Sequence, residues 1–487
     1  MPHTIAPLKG LVAATFTPLR EDRSLHLEAI APMVDRLIDQ EIAALYVLGS
    51  TGEVASLTFD ERCAVAESFV GAANGRLPVI TVNVRPFILW LLGLLTCHMV
   101  LTNCGVSAEP SIERVTLFEE GRDGFTLYRI PGIVVTSSGS VLAYCEARKF
   151  STADRGEIEI HLRRSTDGGR TWSPPQQVAH LGERLPRNPH LPPGKQAKDF
   201  GGPEEQTVNN PVAIACRNRT VHLLYCVEYM RCFHIRSDDD GVSWSKPVEI
   251  TKAFEAFRPE LDWQAMATGP GHAIELRNGR LVVPFWMSNY DPSVKQGKGV
   301  GVVFSDDNGV SWQPGEIALR DAGEPNIIEL PDGGVLLTAR NGNARSRRIS
   351  TTSINGATGW STPRFIDELY EPGCMAGIVT HMGADDHKGP LLLFSNVQTT
   401  ARQHSSRRNL TIHLSGDGGT TWPVRRVLEP GPSAYSDLAV LLDGQVLCCF
   451  EDGSGEPVHK RKRDWAYTRI AVARFNLEWL LQSGATP

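Results

Sequence analysis

Hydrophobic and polar positions alternate in two different ways along this chain. Over the first eighty-odd residues the apolar positions come in continuous runs and at helical spacing. "GLVAATFTPL" (10–19), "IAALYVLGS" (42–50) and "LPVITVNV" (77–84) are apolar runs of strand length. Between the first two, Leu27, Ile30, Met33, Val34 and Leu37 recur with helical period. Between the last two, "TFDERCAVAESFVGAANG" reads as a helix opened by Thr58 with Glu61 three residues later, and closed by Gly75. Strand, helix, strand, helix, strand in that order predicts a parallel sheet. From about Ser111 the period changes to two, in short runs such as "IEIHLRRS" and "LTIHLS" separated by turn clusters.

The two patterns meet at an apolar stretch, "RPFILWLLGLLTCHMVLTNCG", which starts at Arg85. After that arginine the next charged residue is Glu109. One basic residue, an apolar core and small residues around Ser107 and Ala108 have the form of a secretory signal. A membrane anchor through residues 86–108 and a buried helix are the alternatives, and Thr96, His98, Thr102 and Asn103 weaken the second half of a span. The expectation is an exported or membrane-anchored chain. A signal normally begins a protein, so residues 1–84 are expected to be a truncated neighbour fused to, or read through into, an exported enzyme.

The period-two region is repetitive. "STDGGRTW" (165–172), "SDDDGVSW" (237–244), "SDDNGVSW" (305–312) and "SGDGGTTW" (415–422) share Ser-x-Asp-x-Gly-x-Thr/Ser-Trp, and "SINGATGW" (353–360) is a degraded copy. In such a turn Asp accepts backbone N–H bonds, Gly supplies positive φ and Trp packs beneath. Copies spaced at blade length predict an all-β propeller, and this much chain would fill about six four-stranded blades. The boxes themselves are structural.

Composition adds only bounds. A chain of 487 residues predicts two or more units. A net charge of −6 gives no reason to expect nucleic acid. The 10 cysteines form no CxxC pair and no zinc-type spacing, so no structural metal is expected, while one or two disulfides remain open.

Two resemblances carry the reading further. "GSTGE" (49–53) followed by "LTFDER" resembles the N-acetylneuraminate lyase and dihydrodipicolinate synthase family of (β/α)8 barrels. In that family the Ser-Thr pair of such a turn holds the substrate carboxylate. Only two and a half βα units are present, before the family's Schiff-base lysine, so residues 1–84 are expected to lack aldolase activity. "FTLYRIPG" (125–132) together with the boxes and the closing "YTRIAVARFNLEWL" resembles the exo-α-sialidase family, from about Ser111 to Leu481. The expected organisation is a truncated barrel fragment over 1–84, a signal-like segment over 85–108 and a six-bladed sialidase propeller over 109–487.

The substrate explains the residue types that this second resemblance implies. Sialic acid bears a carboxylate on its anomeric carbon, and guanidinium groups bind carboxylate bidentately with a permanent charge. The family's three arginines fall on Arg129 in "YRIP", Arg340 in "VLLTARNGN" and Arg407 in "SSRRNLTIHLS", with adjacent Arg408 as the alternative for the third. A carboxylate nucleophile would be repelled by the substrate's own charge, and sialidases use a tyrosine instead. Tyr435 in "GPSAYSDLAV" matches it. A phenol with a pKa near 10 needs a base, and Glu324 in "GEPNIIEL" matches that partner, with Glu329 as its rival. Asp154 in "STADRGEIEI" matches the acid/base, Glu451 in "CFEDGSG" the carboxylate that orients the first arginine, and Arg148 in "CEARK" an arginine near the ring hydroxyls. His272 reads as a structural hydrogen-bond partner, and the cluster "HKRKRDW" (459–465) as a solvated loop.

The expected function is retaining hydrolysis of terminal α-linked sialic acid from oligosaccharides, glycoproteins or glycolipids, without a cofactor. The alternatives are trans-sialidase activity and a non-catalytic sialoglycan-binding propeller.

Overall fold

The computed structural model describes residues 11–20, 22, 24–48, 57–74, 76–81, 109–179, 183–190, 202, 204–291, 293–295, 297–342, 345–382, 389–400, 407–454 and 468–482. The chain divides into two compact units, Met1–Gly105 and Val106–Pro487. The "GSTGE" turn, the apolar segment 85–108 and the basic cluster 459–465 lie outside the described residues. Among the described residues no helix is long and apolar enough to cross a membrane.

In the first unit the expected parallel sheet forms from Val12–Ala14, Ala44–Val47 and Val79–Thr81, in that order. The helices Ile30–Asp39 and Phe59–Ala73 connect the strands. Thr58 and Glu61 make the expected capping box, with each side chain satisfying the other's backbone N–H. The helix ends on Asn74 in the left-handed conformation, at φ 42°, and the expected closing Gly75 lies outside the described residues. Asn tolerates that conformation because its short polar side chain bonds locally. Ile30, Val34, Leu45, Val65 and Phe69 form a small core. Leu11, Val12, Phe16 and Ile80 stay exposed, so this sheet leaves apolar surface uncovered.

The second unit is built mainly of antiparallel sheets. The first blade comprises Leu127–Val135, Val141–Arg148, Ile158–Ser165 and Gln176–Ala179. The second runs from Val208–Ala215 to Val248–Glu249, and Gly271–His272 adds in parallel to its inner strand. The third runs from Ala265–Thr268 to Gln313–Arg320, and the fourth from Ala322–Glu329 to Arg364–Tyr370. The remaining strands make one seven-stranded sheet. The expected count of six separate blades is therefore corrected to four separate blades and one double-width sheet.

The cause is a single 17-residue strand, Val424–Val440. Its first part pairs with Arg408–Ser415 and its second with Val446–Asp452, so no turn separates the two halves. That sheet also closes the unit, because Ile112–Glu119 from the start of the unit pairs with Arg469–Phe475 from its end. Arg469–Phe475 is thereby paired on both sides, and Ile112–Glu119 forms the outer edge of the sheet.

All five boxes lie after the third strand of their sheet. In the first, Asp167 accepts N–H bonds from Arg170 at 3.0 Å and Thr171 at 2.9 Å, and Ser165 Oγ donates to it at 2.8 Å. The boxes around Asp239, Asp307 and Asp417 repeat the Ser and Ser/Thr bonds. In the degraded copy Asn355 takes the aspartate's place and accepts from Ala357 and Thr358. Since neighbouring strands are antiparallel, these turns occupy the face opposite the ends of the second strands. Arg148, Arg340 and Glu451 lie at those ends.

Candidate active site

Three of the candidate positions sit where a strand breaks its register. The first inner strand slips between Arg129 and Gly132, and Ile130 takes φ 59°. The fourth blade's inner strand slips between Gly323 and Pro325, and Glu324 takes φ 42°. The long strand slips between Ser433 and Ser436, around Tyr435. A bulge adds a residue on one strand and re-aims its side chain. A non-glycine residue held at positive φ costs about 1–3 kcal/mol and persists only where its surroundings impose it. Gly132 is required by packing as well, since a Cβ there would lie 2.2 Å from the Tyr144 ring. Tyr144 in turn donates to the Gly271 carbonyl at 2.7 Å and accepts from the Ala213 N–H at 3.0 Å.

These bulges bring distant residues together around one phenol. The Tyr435 hydroxyl donates to Glu324 Oε1 and accepts from Arg340 Nη1 at 3.0 Å. The same Arg340 nitrogen donates to Glu324 Oε2 at 2.7 Å. The guanidinium groups of Arg129 and Arg407 lie 5.1 and 5.5 Å from the centre of the Tyr435 ring. Glu451, fully buried, accepts from Arg129 Nε at 2.8 Å and Nη2 at 3.2 Å. It also accepts from the N–H groups of Ile130 at 3.0 Å and Tyr435 at 3.1 Å, so one carboxylate sets both an arginine and the tyrosine backbone.

The electrostatics divide the proton between the partners. Burial pushes the Tyr435 phenol well above its ordinary range, and the Glu324 charge adds to this against the three arginines. Burial would also raise Glu324, but the charge and hydrogen bond of Arg340, the Tyr435 hydroxyl and Arg407 together hold it below the usual carboxylate range. At neutral pH the pair is a neutral phenol bonded to an ionised carboxylate.

Arg148 and Asp154 form the adjoining edge. Arg148 is buried, with Nη2 2.7 Å from Glu146 Oε2 and Nη1 2.9 Å from Asp154 Oδ1. Arg129 Nη1 lies 3.6 Å from the same Asp154 oxygen. The Asp154 side chain is 70% exposed, at the rim, while its backbone carbonyl accepts from the Tyr229 hydroxyl at 3.0 Å. All eight candidates therefore join one network. The alternatives lie elsewhere. Arg408 is exposed, Glu329 accepts from the Arg277 N–H, and buried His272 bonds to Asp437 at 2.8 Å.

Sequence reasoning missed several supports. Asp437 joins His272 to the Ile133 N–H, which ties the long strand to the first blade and to the Gly271–His272 strand. Glu146, Tyr229, Arg348 and Glu371 also buttress the site. The alternating patterns gave no sign that these strand and loop residues face the centre. The Pro and Gly within "YRIPG" and "GEPN" were an available signal for the bulges, since both residues disrupt a regular strand.

A cleft of about 390 Å³ opens beside Glu324 and Arg340, walled by Trp286, Tyr290, Asp321 and Gly373. Among the described residues no group of His, Cys, Asp or Glu could hold a metal ion. Buried Cys145, Cys374, Cys448 and Cys449 are free thiols.

Comparison with known proteins agrees with this architecture. Residues 7–83 match the dihydrodipicolinate synthetase family model. The chain is 30% identical over 393 residues to a sialidase of Micromonospora viridifaciens, covering 76% of this chain and 55% of that one. It is also 30% identical over 368 residues to a sialidase of Bacteroides fragilis, covering 69% and 62%. The chain thus spans less than two thirds of the length of these relatives. A solved Hadza microbial sialidase superposes with a TM-score of 0.60 at 26% identity, over 76% of this chain and 69% of that one. Residues 139–448 match the BNR repeat-like domain, and the chain belongs to that family.

Proposed function

We propose that the second unit is an exo-α-sialidase that hydrolyses terminal α-linked sialic acid with retention. The observation that carries this reading is the convergence of Arg129, Arg340 and Arg407 on Tyr435, whose hydroxyl is bonded to Glu324. Three permanent positive charges suit one carboxylate, and a neutral nucleophile suits a substrate that brings its own negative charge. The names of the relatives support the same chemistry.

In the first step Tyr435 Oη bonds to the anomeric carbon while its proton passes to Glu324. The glycosidic C–O bond breaks, and Asp154 protonates the leaving oxygen. In the second step water attacks the same carbon and gives its proton to Asp154. The bond between the anomeric carbon and Tyr435 Oη breaks, and the phenolic oxygen recovers its proton from Glu324. Arg148 orients Asp154 throughout, and no step needs a cofactor. The substrates are sialylated oligosaccharides, glycoproteins or glycolipids. The segment 85–108 is read as an export signal, and a mature exported chain beginning near Glu109 would bear that out.

The test is hydrolysis of a fluorogenic sialoside by the full chain. The reading predicts release of sialic acid as its α-anomer. Absence of turnover by the folded protein, with sialoglycan binding retained, would favour a binding propeller instead.

A further inference from the structure

The buried pair Arg348–Glu371 has no part in the chemical steps above, yet it holds the backbone of Glu324 and a turn that packs against Arg340, Arg407 and Tyr435. Arg348, on the strand Arg347–Ser353, and Glu371, just beyond the strand Arg364–Tyr370, are both about 1% exposed and 2.8 Å apart. Arg348 Nη1 also donates to the Cys374 carbonyl at 3.2 Å, and Nη2 reaches the Glu324 carbonyl at 3.5 Å. Glu371 Oε1 accepts from the N–H groups of Gly373 at 2.8 Å and Cys374 at 2.9 Å. The pair thus clamps the turn 371–374 from both its N–H and its C=O side.

That turn is wedged into the site. The Gly373 carbonyl accepts from Arg407 Nη2. Gly373 has φ 81°, and a Cβ on it would lie 3.6 Å from Arg340 Nη2, so its backbone lies against that guanidinium. Cys374 and Met375 pack with Ile130, Ala434 and Tyr435 in one apolar cluster. Burial pushes the Cys374 thiol up to about 12, so it is a neutral packing group there.

Stability alone is a weak reason to bury such a pair. Replacing a buried ion pair by apolar residues of similar volume is often neutral or stabilising. We infer that Arg348 and Glu371 are positioning residues: they set the 371–374 turn that aims Arg407 and Arg340 at the sugar carboxylate and supports the backbone of Glu324. This rests on the sialidase reading above.

The test uses the full chain and the double variant Arg348→Met/Glu371→Leu, which removes both charges while keeping volume. Thermal melting, the kcat and KM of sialoside hydrolysis, and the affinity for free sialic acid are measured together. The pair is expected to act mainly on carboxylate binding, so at a Tm close to the parent's KM rises about tenfold or more, with a smaller loss in kcat. The dissociation constant of sialic acid rises in parallel. Glu371→Gln, which keeps an acceptor for the Gly373 and Cys374 amides, should remain within about threefold of the parent.

A folded double variant with the parent's KM and sialic acid affinity would overturn the inference while leaving the sialidase reading intact. If the double variant does not fold, Arg348→Lys decides, because it keeps a charge opposite Glu371 but loses the guanidinium fork; a parental KM there overturns the inference equally. A parent that neither hydrolyses sialosides nor binds sialic acid defeats the underlying reading, and the inference with it.

Discussion

The two faces of the propeller unit are built on opposite principles. On the box face, each turn closes within eight residues: Asp417 takes N–H bonds from Thr420 and Thr421, and the same scheme recurs at Asp167, Asp239 and Asp307. On the opposite face no bonding scheme repeats, and the decisive contacts are long. Arg129 meets Glu451 across 322 positions, and Tyr435 meets Glu324 across 111. Repetition places the blades, and departures from repetition place the chemistry. A local turn can be copied from blade to blade because its energy is local. A site that must surround a single anion needs a different residue from each blade.

That contrast predicts activity losses without unfolding on one face, and unfolding without kinetic change on the other. The largest effect should come from Tyr435→Phe, which keeps the ring between Arg129 and Arg407 but removes the attacking oxygen. kcat should fall by more than about a thousandfold at an unchanged Tm. Asp154→Asn should lower kcat by about 10²- to 10⁴-fold with glycosides that need a protonated leaving group. Substrates with an acidic phenol as leaving group should be spared most of that loss, and a side-by-side comparison of the two substrate types checks this.

Next come the adjacent arginines. Arg407→Met should raise KM by about tenfold or more, whereas Arg408→Met, on an exposed side chain, should leave it within about twofold. Equal effects would erase the distinction between the two. On the box face, Asp417→Ala removes the acceptor of a single turn. The expected outcome is a Tm lower by a few degrees, with KM for the sialoside unaltered, because Asp417 bonds within its own turn, on the face opposite the network.

The smallest effect concerns pH. Burial alone would lower the His272 pKa, but the Asp437 charge and hydrogen bond outweigh it and raise the value above the ordinary histidine range. The folded protein therefore holds this proton more tightly than the unfolded chain does. The stability so gained is fully present below the unfolded value of about 6.5 and is lost as pH rises through the raised folded value. His272→Gln should flatten the fall in Tm across that window, and a series of melts at increasing pH measures it.

Legibility in the sequence followed the same divide. The boxes could be read because the bonds that join their Ser, Asp and Ser/Thr positions lie within eight residues and the pattern returns five times. The parallel order of the first unit was legible for a similar reason, since each helix and strand shows its own period and Thr58 announces its helix with Glu61. The blade count failed where a turn was missing: Pro430, Gly431 and Pro432 stand where Val424–Val440 passes from one partner strand to the next, yet the chain runs on through them as a single strand and does not turn.

The eight candidate residues were named through a family likeness, not through periodicity. Their supports escaped because burial of Glu146, Arg348, Glu371 and Asp437 depends on contacts with other strands that alternation cannot show. Arg348 illustrates the difficulty. It stands in "RSRRIS", where three arginines look equally solvated, and only the packed structure puts this one at 1% exposure against Glu371.

The claim that Tyr435 is the nucleophile at the centre of the arginine trio is tested most directly by trapping. Fluorine beside the anomeric carbon slows both steps of the reaction, so incubation with 2,3-difluorosialic acid should leave the sugar attached to the enzyme. Peptide mass spectrometry of the full chain should then find one fluorosialosyl group, and it should be on Tyr435. An active enzyme that stays unlabelled, or that carries the sugar on Glu324, Asp154 or any other residue, would contradict the account.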